Sequence, residues 1–277
     1  MNLELVFEPF QYAFMVRAFL GVSLVALVAA AVGTFVVLKG LAFMGDAIAH
    51  TAFTGIALGL LIGISIHLSA LVFALFTALG VVVLTRVSRV KDDTALAIIF
   101  TGVFALGIVL LSTSPSFVGD LNSLLLGSVL AIQPGEIAVI AGFALFVLAV
   151  LGLFFRRFVL VFFDPLGAEA AGFPAVAFQT LFLALIAAAI VVSIRAVGVV
   201  LVVALLITPA ATAGLITKEL KRQMALSSVF GLASSIFGLY LSYFFGAPPG
   251  ATVVLVATSL FVVVLALQAL RRTGGKA

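Results

Sequence analysis

Nine apolar runs, each close to the length of a bilayer crossing, govern what this 277-residue chain can become. They fall at roughly 14–38, 45–64, 68–85, 94–112, 135–155, 177–194, 196–216, 224–246 and 250–270. A transmembrane helix needs about 20 such residues. Hydrocarbon offers no partner to a bare amide or carbonyl, so a spanning backbone is either a helix or a closed barrel. Continuous runs of this length select the helix. Composition agrees: 65% of residues are hydrophobic and 9% charged, whereas a soluble domain carries about 25% charged residues. The chain therefore reads as all-α, a polytopic transmembrane helical bundle of about eight or nine spans. One membrane domain is expected over residues 1–277, with no room for a second soluble domain. The segment 117–131 is shorter and more polar, and reads as an interfacial or re-entrant helix. The first 19 residues carry two acids, lack a basic leading region and show no small-residue cleavage site, so they are not read as a signal peptide.

Charge sets the orientation. With the N-terminus outside and the C-terminus in the cytoplasm, twelve of the fourteen basic residues fall in inner loops, leaving only Arg17 and Arg195 outside. The net charge of +4 is thus explained by topology. No basic stripe interleaved with aromatics exists, so nucleic acid is not an expected partner. Cysteine is absent, which removes disulfides, thiolate ligands and cysteine nucleophiles. A metal bound here would have to use imidazole, carboxylate, carbonyl or hydroxyl groups.

Against this background the second run, GDAIAHTAFTGIALGLLIGI, stands apart. Asp46 reads as the one carboxylate embedded in the apolar runs, and His50 is one of only two histidines. On a helix they lie on one face, separated by about 6 Å along the axis. A charge inside a bilayer costs at least about 2.5–3.5 kcal/mol, so such a group faces protein, water or an ion. Asp46, His50 and Thr54 form one stripe; Ala47, Thr51, Gly55, Gly59 and Gly63 form a small-residue ridge beside it, which suits close packing of helices in lipid. A nitrogen and a carboxylate oxygen together fit borderline divalent cations such as zinc, manganese, iron or nickel, whereas calcium and magnesium prefer oxygen alone. Two blander roles compete. Asp46 can cap the start of the helix, and His50 can be an interior histidine donating to a carbonyl. His67, in the loop GISIHLS, reads as an ordinary loop residue.

Other motifs are less specific. Thr208-Pro209 interrupts the seventh run; Thr208, Thr212 and Thr217 can re-satisfy carbonyls that a proline leaves without donors, and Thr208 and Thr212 can also line a pathway. Small residues on the eighth run (Ser227, Gly231 and Ser235; Ser234, Gly238 and Ser242) read as packing contacts. In RRFVLVFFDPLGAEAAGFPAVAF, Asp164 is a good N-cap and Pro165 a good first helical residue, with Gly172 and Pro174 closing a short helix. That helix is either a connector or a docking element for a cytosolic partner. No phosphate-binding glycine motif occurs, so ATP-driven work would need an ATPase on another chain. No clear internal repeat is visible, which gives no support to a carrier built from inverted halves.

The segments LKGLAFMGDAIAHTAFTGIALG, KDDTALAIIFTGVFALGI, DLNSLLLGSVLAI, VGVVLVVALLITPAATA and FGAPPGATVVL, taken in order, span nearly the whole chain. Together they resemble the membrane permeases of zinc/manganese-type ABC importers, the ABC-3 family. The resemblance implies a homodimeric permease of a prokaryotic cell (inner) membrane, similar in fold to the vitamin B12 and siderophore importers. It implies two cytosolic ATPase subunits that bind the ATP, and an extracytoplasmic binding protein that delivers zinc, manganese or iron. The transported metal is the only ion implied, with no covalently bound cofactor. The family's helix-2 aspartate and histidine correspond to Asp46 and His50. Its coupling helix corresponds to about 164–174, with Asp164, Pro165, Ala168, Glu169 and Gly172 as the ATPase-contacting set. The chain itself is then not an enzyme. Two rivals are a stand-alone metal channel or cation-coupled secondary carrier, which would want further buried acids, and an intramembrane metalloenzyme, which would want a HExxH-like ligand set that His50 does not begin.

Overall fold

The computed structural model describes residues 7–88, 92–113 and 127–274, and among these it contains helices and no strands. The long helices are α1 (Ala13–Leu38), α2 (Ala42–Ile62), α3 (Ile66–Ser88), α4 (Asp92–Ser112), α5 (Pro134–Leu153), α8 (Ala175–Val197), α9 (Val199–Ile216), α10 (Leu220–Phe245) and α11 (Pro249–Gly274); α6 (Phe155–Phe163) and α7 (Pro165–Ala170) are short. Nine helices are long and apolar enough to cross a membrane among the described residues. They match the nine runs to within a few residues. The expected helix at 117–131 falls largely outside the described residues; within 127–131 there is a single 3-10 turn at Val129–Ala131. A second embedded acid, which the sequence reading overlooked, lies in α5: Glu136 accepts from the Gln133 amide at 3.0 Å, so it caps the helix start.

The chain divides into two compact units. The first contains residues 1–38, 125–144 and 193–277; the second contains 39–124 and 145–192. Helices α5 and α8 each contribute residues to both.

In the first unit α1 packs against α9 and α10, and α11 packs against α9 and α10. Small residues let the backbones approach. Gly33 of α1 lies so close to Leu206 of α9 that a Cβ there would meet the Leu206 carbonyl carbon at 2.8 Å. Ser227 of α10 donates to the Ala30 carbonyl of α1 at 3.1 Å, and Gly231 sits against Ala26 and Ala30. Gly238 lies against the Val253 backbone of α11. The serine–glycine ridges of the eighth run are thus packing contacts, as their spacing suggested. Gln223, almost fully buried, donates to the Ala210 carbonyl at 3.2 Å. Pro209 lies inside α9. Its missing N–H leaves the Leu205 carbonyl without its usual donor, but Thr212 donates to Thr208 instead, at 2.7 Å. Thr217 does neither; its hydroxyl accepts from the Glu219 amide at 3.2 Å, just before α10.

In the second unit α2 packs on α3 and α4. The expected ridge is used over part of its length. Gly55 and Gly59 face the start of α3: a Cβ on Gly55 would meet the Ala70 Cα at 2.8 Å, and one on Gly59 the Ile66 Cα at 3.3 Å. Ser69 donates to the Gly55 carbonyl across the same contact. Gly63 does not join the ridge. It ends α2 as a left-handed cap with φ +71°, a conformation in which a Cβ is costly. On its other side α2 is tied to α4, where the Thr54 hydroxyl donates to the Val103 carbonyl at 2.9 Å. Gly107 makes room for this approach, since a Cβ there would meet the Thr54 Cα at 3.1 Å. Close backbone approach carries helix association where lipid provides no hydrophobic drive.

Overpacking of these contacts has a measurable cost. Gly33→Ala and Gly55→Ala are each expected to lose about 1–3 kcal/mol, read as a lowered denaturation midpoint in detergent. Gly142→Ala, at a site with open space around it, is expected to lose nothing.

Candidate metal site

Asp46 is the fifth residue of α2, which begins at Ala42 with Leu41 as its N-cap. The capping role considered for Asp46 therefore does not apply, because the helix starts a turn earlier than the hydropathy boundary. Its carboxylate turns instead to His50. The imidazole Nδ1 lies 3.3 Å from Asp46 Oδ1 and 2.9 Å from the Asp46 main-chain oxygen. A carbonyl can only accept, so Nδ1 carries a proton and donates. The structure thus combines both readings of His50: it is an interior histidine bonded to a carbonyl, and it is paired with the carboxylate one turn away. The pair is only partly enclosed, with 25% of the His50 side chain and 43% of the Asp46 side chain exposed.

Beside Asp46 is a cavity of about 270 Å³, lined by Phe43, Asp46 and Ala47 of α2 and by Leu96, Ala97 and Phe100 of α4. A water molecule takes about 30 Å³ of liquid, so a cation with several waters fits. The lining is apolar apart from Asp46. Such a wall leaves the carboxylate as the feature that attracts a cation.

α4 supplies a wall that sequence reasoning missed. The His50 ring stands nearly perpendicular to Phe100 and Phe104, at centroid separations of 5.5 and 5.6 Å. These two rings stack on each other at 5.8 Å. Their spacing of four in IIFTGVF was the available signal, but a phenylalanine pair on a membrane helix is ordinary without knowing what faces it.

The other expected site residues separate. Thr54 is fully buried and its hydroxyl is committed to Val103, so in this structure it ties α2 to α4. Thr208 and Thr212 belong to the first unit, where they bond each other. No group of three histidine, aspartate or glutamate side chains able to hold a metal occurs among the described residues. One chain therefore contributes two candidate ligands.

The short helix α7 forms as expected. The Asp164 side chain accepts from the Gly167 amide at 2.9 Å, Pro165 is the first helical residue, and Gly172 closes the turn with φ +77°. Asp164, Pro165, Glu169 and Gly172 are exposed. Ala168 is not: it is fully buried, because the helix is amphipathic and this position faces inward. Leu166, absent from the expected set, is 80% exposed. Behind α7, Phe158, Phe162 and Phe182 form an aromatic cluster, with Phe162 and Phe182 at 4.8 Å. Lys39, just outside α1, lies over Phe162 and Phe163 at 5.6 and 5.8 Å, and burial lowers its pKa.

Comparison with known proteins places this arrangement. The chain is 41% identical over 252 residues to the manganese transport system membrane protein MntC of Listeria monocytogenes, covering 91% of this chain and 89% of that one. It is 36% identical over 264 residues to a probable iron transport system membrane protein of Haemophilus influenzae, covering 95% and 97%. Among solved structures it is similar to PsaBC of Streptococcus pneumoniae in complex with Fab, with a TM-score of 0.85, 35% identity and 95% of each chain covered. An inward-facing putative metal-chelate type ABC transporter shares the fold at a TM-score of 0.74 and 17% identity, over 96% and 90% of the two chains. The model of the ABC 3 transport family matches residues 11–268, and the chain, with nine apolar helices among its described residues and a polar pair on the second, belongs to that family.

Proposed function

We propose that this chain is the membrane permease subunit of an ATP-driven, binding-protein-dependent importer of a divalent metal: manganese, iron or zinc. The observation that carries the reading is the Asp46–His50 pair, 3.3 Å apart on an otherwise apolar helix and beside a cavity. Its chemistry suits a cation in transit. The carboxylate supplies charge and the imidazole supplies a nitrogen ligand for a borderline metal. Two protein ligands hold an ion weakly enough for it to leave again, which transport requires. The names of the relatives, manganese and iron transport proteins, favour those two metals.

In this reading a second copy of the chain forms the other half of the pathway and brings its own polar pair. A binding protein outside delivers the metal, and ATPase subunits in the cytoplasm drive the cycle. The N-terminus is outside and the C-terminus inside, which puts Lys39 and α7 on the cytoplasmic side. Exposed Leu166, flanked by Pro165 and Glu169, is the surface α7 offers to the ATPase, with Asp164 and Gly172 fixing its ends. Ala168 anchors α7 from beneath and makes no contact with the partner. The chain performs no chemistry of its own. A self-sufficient channel or carrier is not favoured, since the relatives are membrane proteins of manganese and iron transport systems and the second embedded acid, Glu136, is engaged in capping α5.

Two outcomes test this. Asp46→Ala and His50→Ala are each expected to cut metal uptake by the reconstituted complex at least tenfold while the protein still inserts and assembles; uptake at the wild-type rate in both would remove the site. Leu166→Asp is expected to weaken ATPase binding in a pull-down and to lower uptake in proportion. Ala168→Glu, by contrast, is expected to reduce the amount of folded protein, because it buries a charge without a partner, at a cost of several kcal/mol.

A further inference from the structure

Lys39 stands in the turn between α1 and α2, and its side chain takes an unusual course. A lysine at the end of a membrane helix ordinarily extends its ammonium into water. Lys39 is half-buried, and its Nζ lies over two rings, 5.6 Å from the centroid of Phe162 and 5.8 Å from that of Phe163. The negative face of a ring attracts a cation, more strongly where water is excluded.

The contact joins two separate parts of the chain. On one side it reaches the corner between α6 and α7. Asp164 belongs to both helices: its amide donates to the Leu160 carbonyl of α6 at 2.8 Å, and its carboxylate accepts from the Gly167 amide of α7 at 2.9 Å. The far end of α7 is tied back too, since the Arg157 guanidinium of α6 lies over Phe154, Phe173 and Phe178 at 5.4, 5.9 and 5.7 Å. α6 and α7 are thus braced into one block, with Leu166 exposed on it. On the other side, only Gly40 and Leu41 separate Lys39 from Ala42, where α2 begins. Gly40 makes the turn with φ +69°, and the Leu41 carbonyl accepts from the Met44 amide at 2.9 Å. Asp46 and His50 follow on the same helix. Each turn of a helix is bonded to the next, so a push at its start reaches them.

We infer that Lys39 couples the ATPase to the metal site: its cation–π contact with Phe162 and Phe163 passes movement of the α6–α7 block to α2, and so to Asp46 and His50. This rests on the reading of α7 as the ATPase-docking surface and of Asp46–His50 as the metal site. Lys39 is a positioning residue that acts through α2. The contact requires a cation on a long stem, which arginine supplies and methionine does not.

The test uses the complex with its ATPase subunits, reconstituted in liposomes, and reads manganese(II) moved per ATP hydrolysed. A merely structural or topological role for Lys39 would lower the yield of complex and leave that ratio unchanged. Lys39→Met is expected to keep ATPase binding in a pull-down and to hydrolyse ATP, yet to move at least about fivefold less manganese per ATP, the lower end of ordinary coupling between sites. Lys39→Arg is expected to keep the parent ratio. Phe163 is 55% exposed, so Phe163→Leu removes a ring face with little loss of packing. It is expected to lower the ratio as Lys39→Met does, and the two changes together to be no worse than either alone. A parent ratio in Lys39→Met or Phe163→Leu overturns the inference, as do a Lys39→Arg that uncouples and a double variant whose losses multiply. Loss of ATPase binding in Lys39→Met overturns it as well, because the residue then acts in docking. Where Lys39→Met does not assemble, Phe163→Leu decides. The underlying reading fails separately: parent complex that moves manganese without ATP, or Leu166→Asp that binds the ATPase undiminished, removes the role of α7, whereas a coupled parent with a coupled Lys39→Met removes only the role of Lys39.

Discussion

The tether from Thr54 to the Val103 carbonyl is the contact on which the site depends. It is a single hydroxyl bond, 2.9 Å long, and it works because Gly107 has no side chain to keep α4 away. With α2 and α4 locked in that register, the turn before Thr54 on α2 faces the turn before Val103–Phe104 on α4. His50 therefore meets two phenylalanine rings, and Asp46 meets the cavity. A slip of one residue would rotate a helix by about 100° and would put Ile99 and Val103, or Thr101 and Ala105, opposite the imidazole.

On the opposite side of α2, Gly55 and Gly59 let α3 approach to backbone contact, and Ser69 bonds the Gly55 carbonyl. α2 is thus gripped from two directions by small residues and hydroxyl bonds. Individual interhelical hydrogen bonds in membranes average only about 0.6 kcal/mol, so rigidity comes from the number of close contacts rather than from any one of them. This economy suits a transport helix. In the proposed transport role its polar stripe has to stay in place within an apolar environment, yet release a cation as readily as it accepts one. The first unit uses the same vocabulary with different residues: Gly33 on Leu206, Ser227 on Ala30, Gly238 on Val253.

Much of this was legible beforehand, and for a physical reason. Bilayer thickness imposes a length on each span, and the cost of charge in hydrocarbon imposes composition, so the nine helices appear in the sequence almost at their observed ends. The capped start of α7 was equally plain, because Asp-Pro is a local signal that acts within one turn. Asp46 and His50 could be singled out as a pair from spacing alone. What was not legible is of a different kind. Ala168, in the expected contact set, is buried; Thr54, in the expected pathway set, ties α2 to α4; Leu166, outside the expected set, is 80% exposed. Each depends on which neighbour a helix face turns toward, and in an almost uniformly apolar chain hydrophobic patterning carries little of that information.

The division between the two levels follows from the solvent. In water, amphipathic patterning tells which side of a helix is buried. In lipid both sides are apolar, so the sequence determined the number of spans, their lengths, the basic asymmetry of the loops and the unusual acid–imidazole pair. Only the tertiary structure decided that Nδ1 is committed to Asp46, that Phe100 and Phe104 enclose the ring, and that a cavity opens beside the carboxylate. The last two arise from contacts between residues some fifty positions apart, set by glycine contacts that a hydropathy profile registers merely as small and apolar.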